Sequence, residues 1–268
     1  MPTTLTIPLT TTEPLFFDEA WPLEALFLET LARSTTPVKL PEQLRLKPYT
    51  LSPVWPEKQR GVPAANRSGE QAYHWRVGLL DDSLAASFLE GLSAAKTLNL
   101  AGHSLAVGRA RAEEWPYENL GQRVQAQVKT RPEARREIGL EFITPVVLRR
   151  HGIPMPLPDP VLVFHSWLLA WDTFAPRELW VNINLLDAVE AHLAVVEHQV
   201  ETRSMRVADE RLRTGFLGRV RYKMMAWEKL GAEFLGTLHM LARFSEFCGT
   251  GELTEHGLGQ TRYLKRKT

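Results

Sequence analysis

Hydrophobic spacing along this chain changes period in a fixed order, and the order occurs twice. Leu5, Ile7 and Leu9 alternate as a strand requires, and Leu23, Leu26, Phe27 and Leu31 then recur at three and four, which predicts a helix over Trp21–Arg33 ending before Pro37. Two aromatic and branched segments, Leu44–Val54 and Ala72–Leu80, flank the polar run 56–70 and read as a hairpin with a long loop. A helix over Asp82–Ala94 and a strand over Leu98–Arg111 complete the set. The second passage runs through a strand (Ile138–Leu148), a helix (Pro160–Thr173), an inserted strand-to-helix segment (Trp180–Ala194), a hairpin (Val195–Val207 with Gly215–Met225), a helix (Glu228–Phe247) and a strand (Leu258–Leu264). Strand, helix, strand, strand, helix, strand is the ferredoxin-like order, in which two helices cover one face of an antiparallel sheet. The expected fold is therefore α+β, two tandem ferredoxin-like (βαββαβ) domains over residues 1–112 and 138–268. The charged stretch 113–137, broken by Pro116 and Pro132, is their connection.

A length of 268 residues suits two small domains, and 44% hydrophobic with 24% charged residues is an ordinary globular balance. One cysteine, Cys248, excludes an internal disulfide and a cysteine-based zinc cage, so a reducing cytoplasm is the expected setting. The amino terminus lacks a basic region ahead of an apolar run, and no stretch approaches ~20 apolar residues, so neither export nor membrane spanning is expected. Lys plus Arg number 32 against 31 Asp plus Glu, so any nucleic-acid surface must be local.

Two local features stand out. In FCGTGELTEHGLGQTRYL, Gly249, Gly251, Gly257 and Gly259 lie between a helix and a strand, where backbone can take positive φ and approach another surface closely. A helix cap followed by a tight turn is the plainer alternative. Nicotinamide cofactors are not expected, because the dinucleotide fingerprint opens a helix after a strand and this cluster does the reverse. In GFLGRVRYKM, strand alternation sends Phe216, Val220, Tyr222 and Met224 to one face and Arg219, Arg221 and Lys223 to the other, with Arg203, Arg206, Arg211 and Arg213 just upstream. Such a row can grip a phosphate backbone, or it can be a solvated sheet face.

In this order and position, GFLGRVRYKM, the helix EFLGTLHMLARFSEF and the loop CGTGELTEHGLGQ resemble the CRISPR-associated endoribonucleases of the repeat-associated mysterious protein superfamily, which cut precursor CRISPR RNA within its repeats. LEFITPVVLRRHGIPMPLPDPVLVFHSWLLAWDTF and KPYTLSPVW are similar to further parts of that family, so the likeness spans most of the chain and is strongest from Leu140 onward. The resemblance implies tandem ferredoxin-like domains and metal-independent cleavage without cofactor. The ribose 2′-hydroxyl would attack the adjacent phosphate, leaving a 2′,3′-cyclic phosphate and a 5′-hydroxyl. It implies CRISPR repeat RNA as partner, with effector-complex subunits and a second copy of the chain as further candidates.

Many members carry a histidine after the first helix. RSTTPVKLPEQLRLKPYT has none, and by alignment from the helix end Lys39 lies nearest that position, with Arg45 and Tyr49 able to share the acid–base role. Arg33 and Lys47 are candidate RNA contacts, with the basic row and the four glycines. Among the histidines His256, inside the glycine loop, is the strongest catalytic candidate; His103, His151 and His198 could approach RNA, whereas His165 and His239 read as packed residues. No histidine pair has metal-ligand spacing. The rival readings are a repeat-RNA binder that has lost cleavage and a ferredoxin-like binding or oligomerisation module without RNA.

Overall fold

The computed structural model describes residues 1–15, 22–40, 44, 46–59, 62–63, 71–130, 135–207 and 211–264. The first half contains β1 (Thr3–Thr11), α1 (Leu23–Leu31), β2 (Tyr49–Pro56), the short pair β3 (Lys58–Gln59) and β4 (Val62–Pro63), β5 (Gln71–Leu79), α2 (Asp82–Ala94), β6 (Thr97–Leu100) and β7 (His103–Val107). Its sheet runs β2-β5-β1-β7-β6. The second half contains β9 (Glu137–Val146), the short pair β10 (Arg149–Arg150) and β11 (Ile153–Pro154), α4 (Pro160–Phe174), α5 (Leu185–His192), β12 (Leu193–Arg206), β13 (Leu212–Met224), α6 (Trp227–Cys248) and β14 (Thr261–Leu264), and its sheet runs β12-β13-β9-β14. Each sheet sets its hairpin beside its first strand and its last strand on the far side, so the chain has the tandem ferredoxin-like fold.

Local sequence chemistry explains the elements. Leu5, Ile7 and Leu9 are almost wholly buried in the core that α1 and α2 cover, where Phe27 stacks on Phe88 with centroids 4.8 Å apart. Asp81 caps α2 by accepting the Leu84 N–H, and Asp159 caps α4 by accepting that of Leu162, with Pro160 suited to the first turn. The second core centres on Trp167, Trp171 and Phe244, the last two meeting edge-on at 5.1 Å.

Three expectations need correction. The fourth strand of the first half is a hairpin, because Ala101 (φ 51°) and Gly102 (φ 89°) turn the chain and the Asn99 side chain accepts the Gly102 N–H. The stretch after it carries β8 (Arg111–Glu114), which crosses the expected boundary at 112 and pairs with β1, and α3 (Tyr117–Thr130), whose Tyr117 and Leu120 join the second core. The inserted segment Trp180–Ala194 has no strand ahead of α5: residues 180–184 form none, and a 3-10 turn at Arg177–Leu179 precedes them. Among the described residues, no helix is long and apolar enough to cross a membrane.

The end of α6 rests on the outer face of the first sheet. Arg76 Nη2 donates to the Glu246 carbonyl at 2.6 Å, and a Cβ on Gly78 would stand 2.2 Å from the Phe247 carbonyl oxygen, so only glycine admits this approach.

On α6, buried His239 sits with Nδ1 2.7 Å from the Tyr263 hydroxyl and Nε2 against the Arg135 carbonyl. Burial pushes its pKa down to about 4. A folded pKa below the unfolded value, about 6.5, means the neutral ring stabilises the fold fully above pH 6.5 and progressively less as the pH falls towards 4. The melting temperature should fall across that window, and His239→Gln should make the curve shallower there; identical slopes would refute the assignment.

Candidate active site

The first turn of α1, the start of β2 and the turn at residues 254–256 converge on one carboxylate. Glu24 Oε1 accepts a hydrogen bond from the Tyr49 hydroxyl at 2.8 Å and lies 3.8 Å from Lys47 Nζ. Glu24 Oε2 lies 3.8 Å from His256 Nε2, and Glu255 Oε1 stands 3.9 Å from the same nitrogen. The side chains of Glu24 and Lys47 are each 25% exposed and that of His256 19%, so the group is accessible yet held. Tyr49 is buried with its ring stacked on Phe27 at 4.2 Å. Burial, reinforced by the hydrogen bond to Glu24, raises its pKa far above the usual phenol value. The phenol therefore stays protonated and acts as a fixed donor that orients Glu24. The positive end of α1 also favours a carboxylate in its first turn. An imidazole backed by a carboxylate, with an ammonium alongside, can exchange a proton and stabilise developing negative charge.

Buried polar side chains hold the loop that carries His256. Gln260 Nε2 donates to Thr50 Oγ1 (2.9 Å) and to the Leu51 carbonyl (3.0 Å), and Thr50 Oγ1 donates to the Thr254 carbonyl (3.2 Å). From the other side Trp167 Nε1 donates to Thr250 Oγ1, itself 2.6 Å from Thr261 Oγ1. All four loop glycines take positive φ, between 67° and 90°. Gly257 and Gly259 are buried, while Gly249 and Gly251 line a 360 Å³ cavity that Lys47 and Glu255 also border. Leu253, left-handed at φ 62°, starts the turn that presents His256. The close approach expected of this loop is thus made to the protein's own first domain.

Residues 140–261 match the family model described as CRISPR-associated endoribonuclease Cas6. Over that stretch, most of the second half, the chain is similar to the Cas6 family. A Streptococcus thermophilus protein named CRISPR-associated endoribonuclease Cas6 is 23% identical over 212 residues, covering 78% of this chain and 84% of that protein. Among solved structures, a Cas6 product complex is 24% identical, with a TM-score of 0.75 over 98% of this chain and 99% of that one. A Thermus thermophilus Cas6 is 23% identical, with a TM-score of 0.68 over 98% of each chain. At these identities the structural likeness speaks to the fold.

Three of the sequence candidates, Lys47, Tyr49 and His256, meet in the Glu24 cluster. Lys39 does not join them: it is exposed, beyond the end of α1. Arg45 lies outside the described residues. Arg33 turns the other way and donates to the Thr97 carbonyl at 3.1 Å. The basic row faces outward with carboxylates between its cations. Arg219 pairs with Glu141 (3.0 Å), Arg221 with Glu197 (3.1 Å) and Glu137 (3.9 Å), Lys223 with Glu137 (3.8 Å), and Arg203 with Glu201 (2.7 Å). The face is thus of mixed sign, because β9 and β12 contribute glutamates opposite the arginines of β13. Arg213 is half-buried and paired in register with Met205.

His103 lies 3.1 Å from Glu13, and His151 and His198 are exposed. His165 also faces solvent, against expectation, since the buried stripe of α4 is Val163, Phe164, Trp167, Leu168 and Trp171. The reading missed Glu24, Thr50 and Gln260. It also missed Trp55, His74, Arg111 and Arg262, which line a 670 Å³ cleft between the outer faces of the two sheets. Gln260, polar between glycines and a strand, was the available signal for a buried tether. Nothing in LEALFLETL distinguishes Glu24 from Glu29.

Proposed function

We propose that the chain is a Cas6 endoribonuclease that cuts CRISPR repeat RNA without a metal ion, by attack of a ribose 2′-hydroxyl on the adjacent phosphate. The O2′–P bond forms, the P–O5′ bond breaks, and the products are a 2′,3′-cyclic phosphate and a 5′-hydroxyl. His256 takes the 2′ proton and Lys47 protonates the leaving oxygen, while Glu24, fixed by the Tyr49 hydroxyl, orients both. The observation that carries this reading is that one carboxylate stands within 3.8 Å of both proton-transfer groups. The cations of the inter-sheet cleft and of β13 supply phosphate contacts. In the division we favour, residues 1–112 and 138–268 form the two domains, and residues 113–137 tie them together: β8, which starts at Arg111, extends the first sheet, and α3 packs on the second core.

The test is incubation of the protein with candidate repeat RNAs in EDTA, with product ends mapped. Cleavage should persist in chelator and leave cyclic phosphate ends. An RNA with 2′-deoxyribose at the scissile position should bind and stay uncut. Activity restored only by divalent metal, or cleavage of the deoxy substrate, would overturn the mechanism; binding without any cleavage would favour the rival repeat-RNA binder.

Arg219→Ala with Arg221→Ala should weaken RNA binding modestly and flatten the dependence of log affinity on log salt by about one to two units, since each released phosphate contact contributes a little under one. An unchanged slope would leave the row a solvated face, neutralised by Glu137, Glu141 and Glu197.

A further inference from the structure

The 360 Å³ cavity beside the Glu24 cluster lies between the glycine loop, α4 and the segment leading into β2. It is near the small end of ligand pockets, about 300–1,000 Å³, and so has room for one ring system and none for a duplex. Leu46, Leu80 and Phe174 give it apolar and aromatic walls, and Lys47, Glu252 and Glu255 supply charge, Glu252 being paired with Arg149 at 3.1 Å. An aromatic wall with a few polar groups is how proteins hold an unstacked nucleobase.

The charges narrow the choice of base. A carboxylate only accepts hydrogen bonds. It matches a base edge with two adjacent N–H donors, which among the four RNA bases is the N1–H and N2–H₂ edge of guanine. Adenine and cytosine set a donor beside an acceptor, and the N3–H of uracil lies between two carbonyl oxygens that a carboxylate repels. Resting on the ribonuclease reading above, the geometry points to a guanine-specific pocket in which Glu255 reads the base edge and Phe174 lies against the ring. Glu255 is also 3.9 Å from His256, so the guanine belongs to a nucleotide next to the reacting phosphate.

The four ribonucleoside 3′-monophosphates and inosine 3′-monophosphate, which lacks the N2 amine, are titrated calorimetrically into the full-length protein. Guanosine 3′-monophosphate should bind about tenfold or more tightly than the others, inosine included. Glu255→Gln should bring that ratio to within about threefold. Because the ratio compares ligands on one sample, it does not depend on the folded fraction. Phe174→Ala should weaken all five by about fivefold or more, the value of a lost stacking surface, with the ratio kept. In repeat RNA with guanosines replaced by inosine one at a time, a single position should slow cleavage or weaken binding. Equal affinities, a preference that survives Glu255→Gln, or free-nucleotide binding with no inosine-sensitive position would overturn the pocket. Repeat cleavage that persists alongside any of these leaves the ribonuclease reading intact. Guanosine selectivity in a protein that cuts no RNA would sink that reading, and with it the placement beside a reacting phosphate.

Discussion

His256→Ala is expected to slow single-turnover cleavage of repeat RNA by about 100- to 10,000-fold, while RNA affinity stays within about threefold of the parent. A group that acts mainly on the transition state changes the rate without changing the affinity, and saturating enzyme keeps any residual binding defect out of the measured step. Glu24→Gln should give a smaller loss, because the amide still accepts from Tyr49 but no longer offers the imidazole a charge. Lys39→Ala, outside the cluster, should cleave at close to the parental rate. If His256→Ala cleaves normally while Lys39→Ala is inactive, the acid–base group lies in the loop after α1 and the Glu24 cluster is only structural.

Gly259→Val should destabilise the fold by about 4 kcal/mol and lower the melting temperature by roughly 10 °C. Two independent penalties act there. The residue sits at φ 67°, and an added Cβ would stand 2.1 Å from the Thr250 carbonyl oxygen. That carbonyl cannot easily retreat, since Thr250 is held through its side chain by Trp167 and Thr261 and through its N–H by the Gly259 carbonyl. Gly102→Ala is the matched comparison: its φ is 89° but nothing lies within 4 Å of an added Cβ, so only the conformational cost, about 1 kcal/mol, should appear. Comparable melting temperatures for the two variants would show that the loop adjusts freely.

The fold was legible because each sheet face and helix stripe is written in short-range alternation. Leu5, Ile7 and Leu9 reach one core, and Phe216, Val220, Tyr222 and Met224 the other, as a period of two dictates. The hairpin at Ala101–Gly102 was missed because strands of four and five residues alternate too briefly to separate from one longer strand. The site was legible in part. Glycines between a helix and a strand pointed to a close approach, but the partner surface, β2 with Thr50 and Leu51, lies about two hundred residues away in sequence and leaves no periodic trace. Charge faces failed for the same reason: the arginines of β13 could be read from one strand, whereas Glu141 and Glu197 arrive from neighbouring strands whose register no single segment encodes.

The tether from Gln260 to Thr50 and Leu51 also orders events in time. A chain synthesised from its amino terminus can close the first sheet and bury Phe27 against Tyr49 early, leaving Glu24 with a phenol and an ammonium but no imidazole. The imidazole arrives with the glycine loop, and Gln260 locks it in place once β14 has paired with β9. On the proposed mechanism, a fragment ending before residue 249 would hold Glu24, Tyr49 and Lys47 without His256, and cleavage should begin only as the last strand docks.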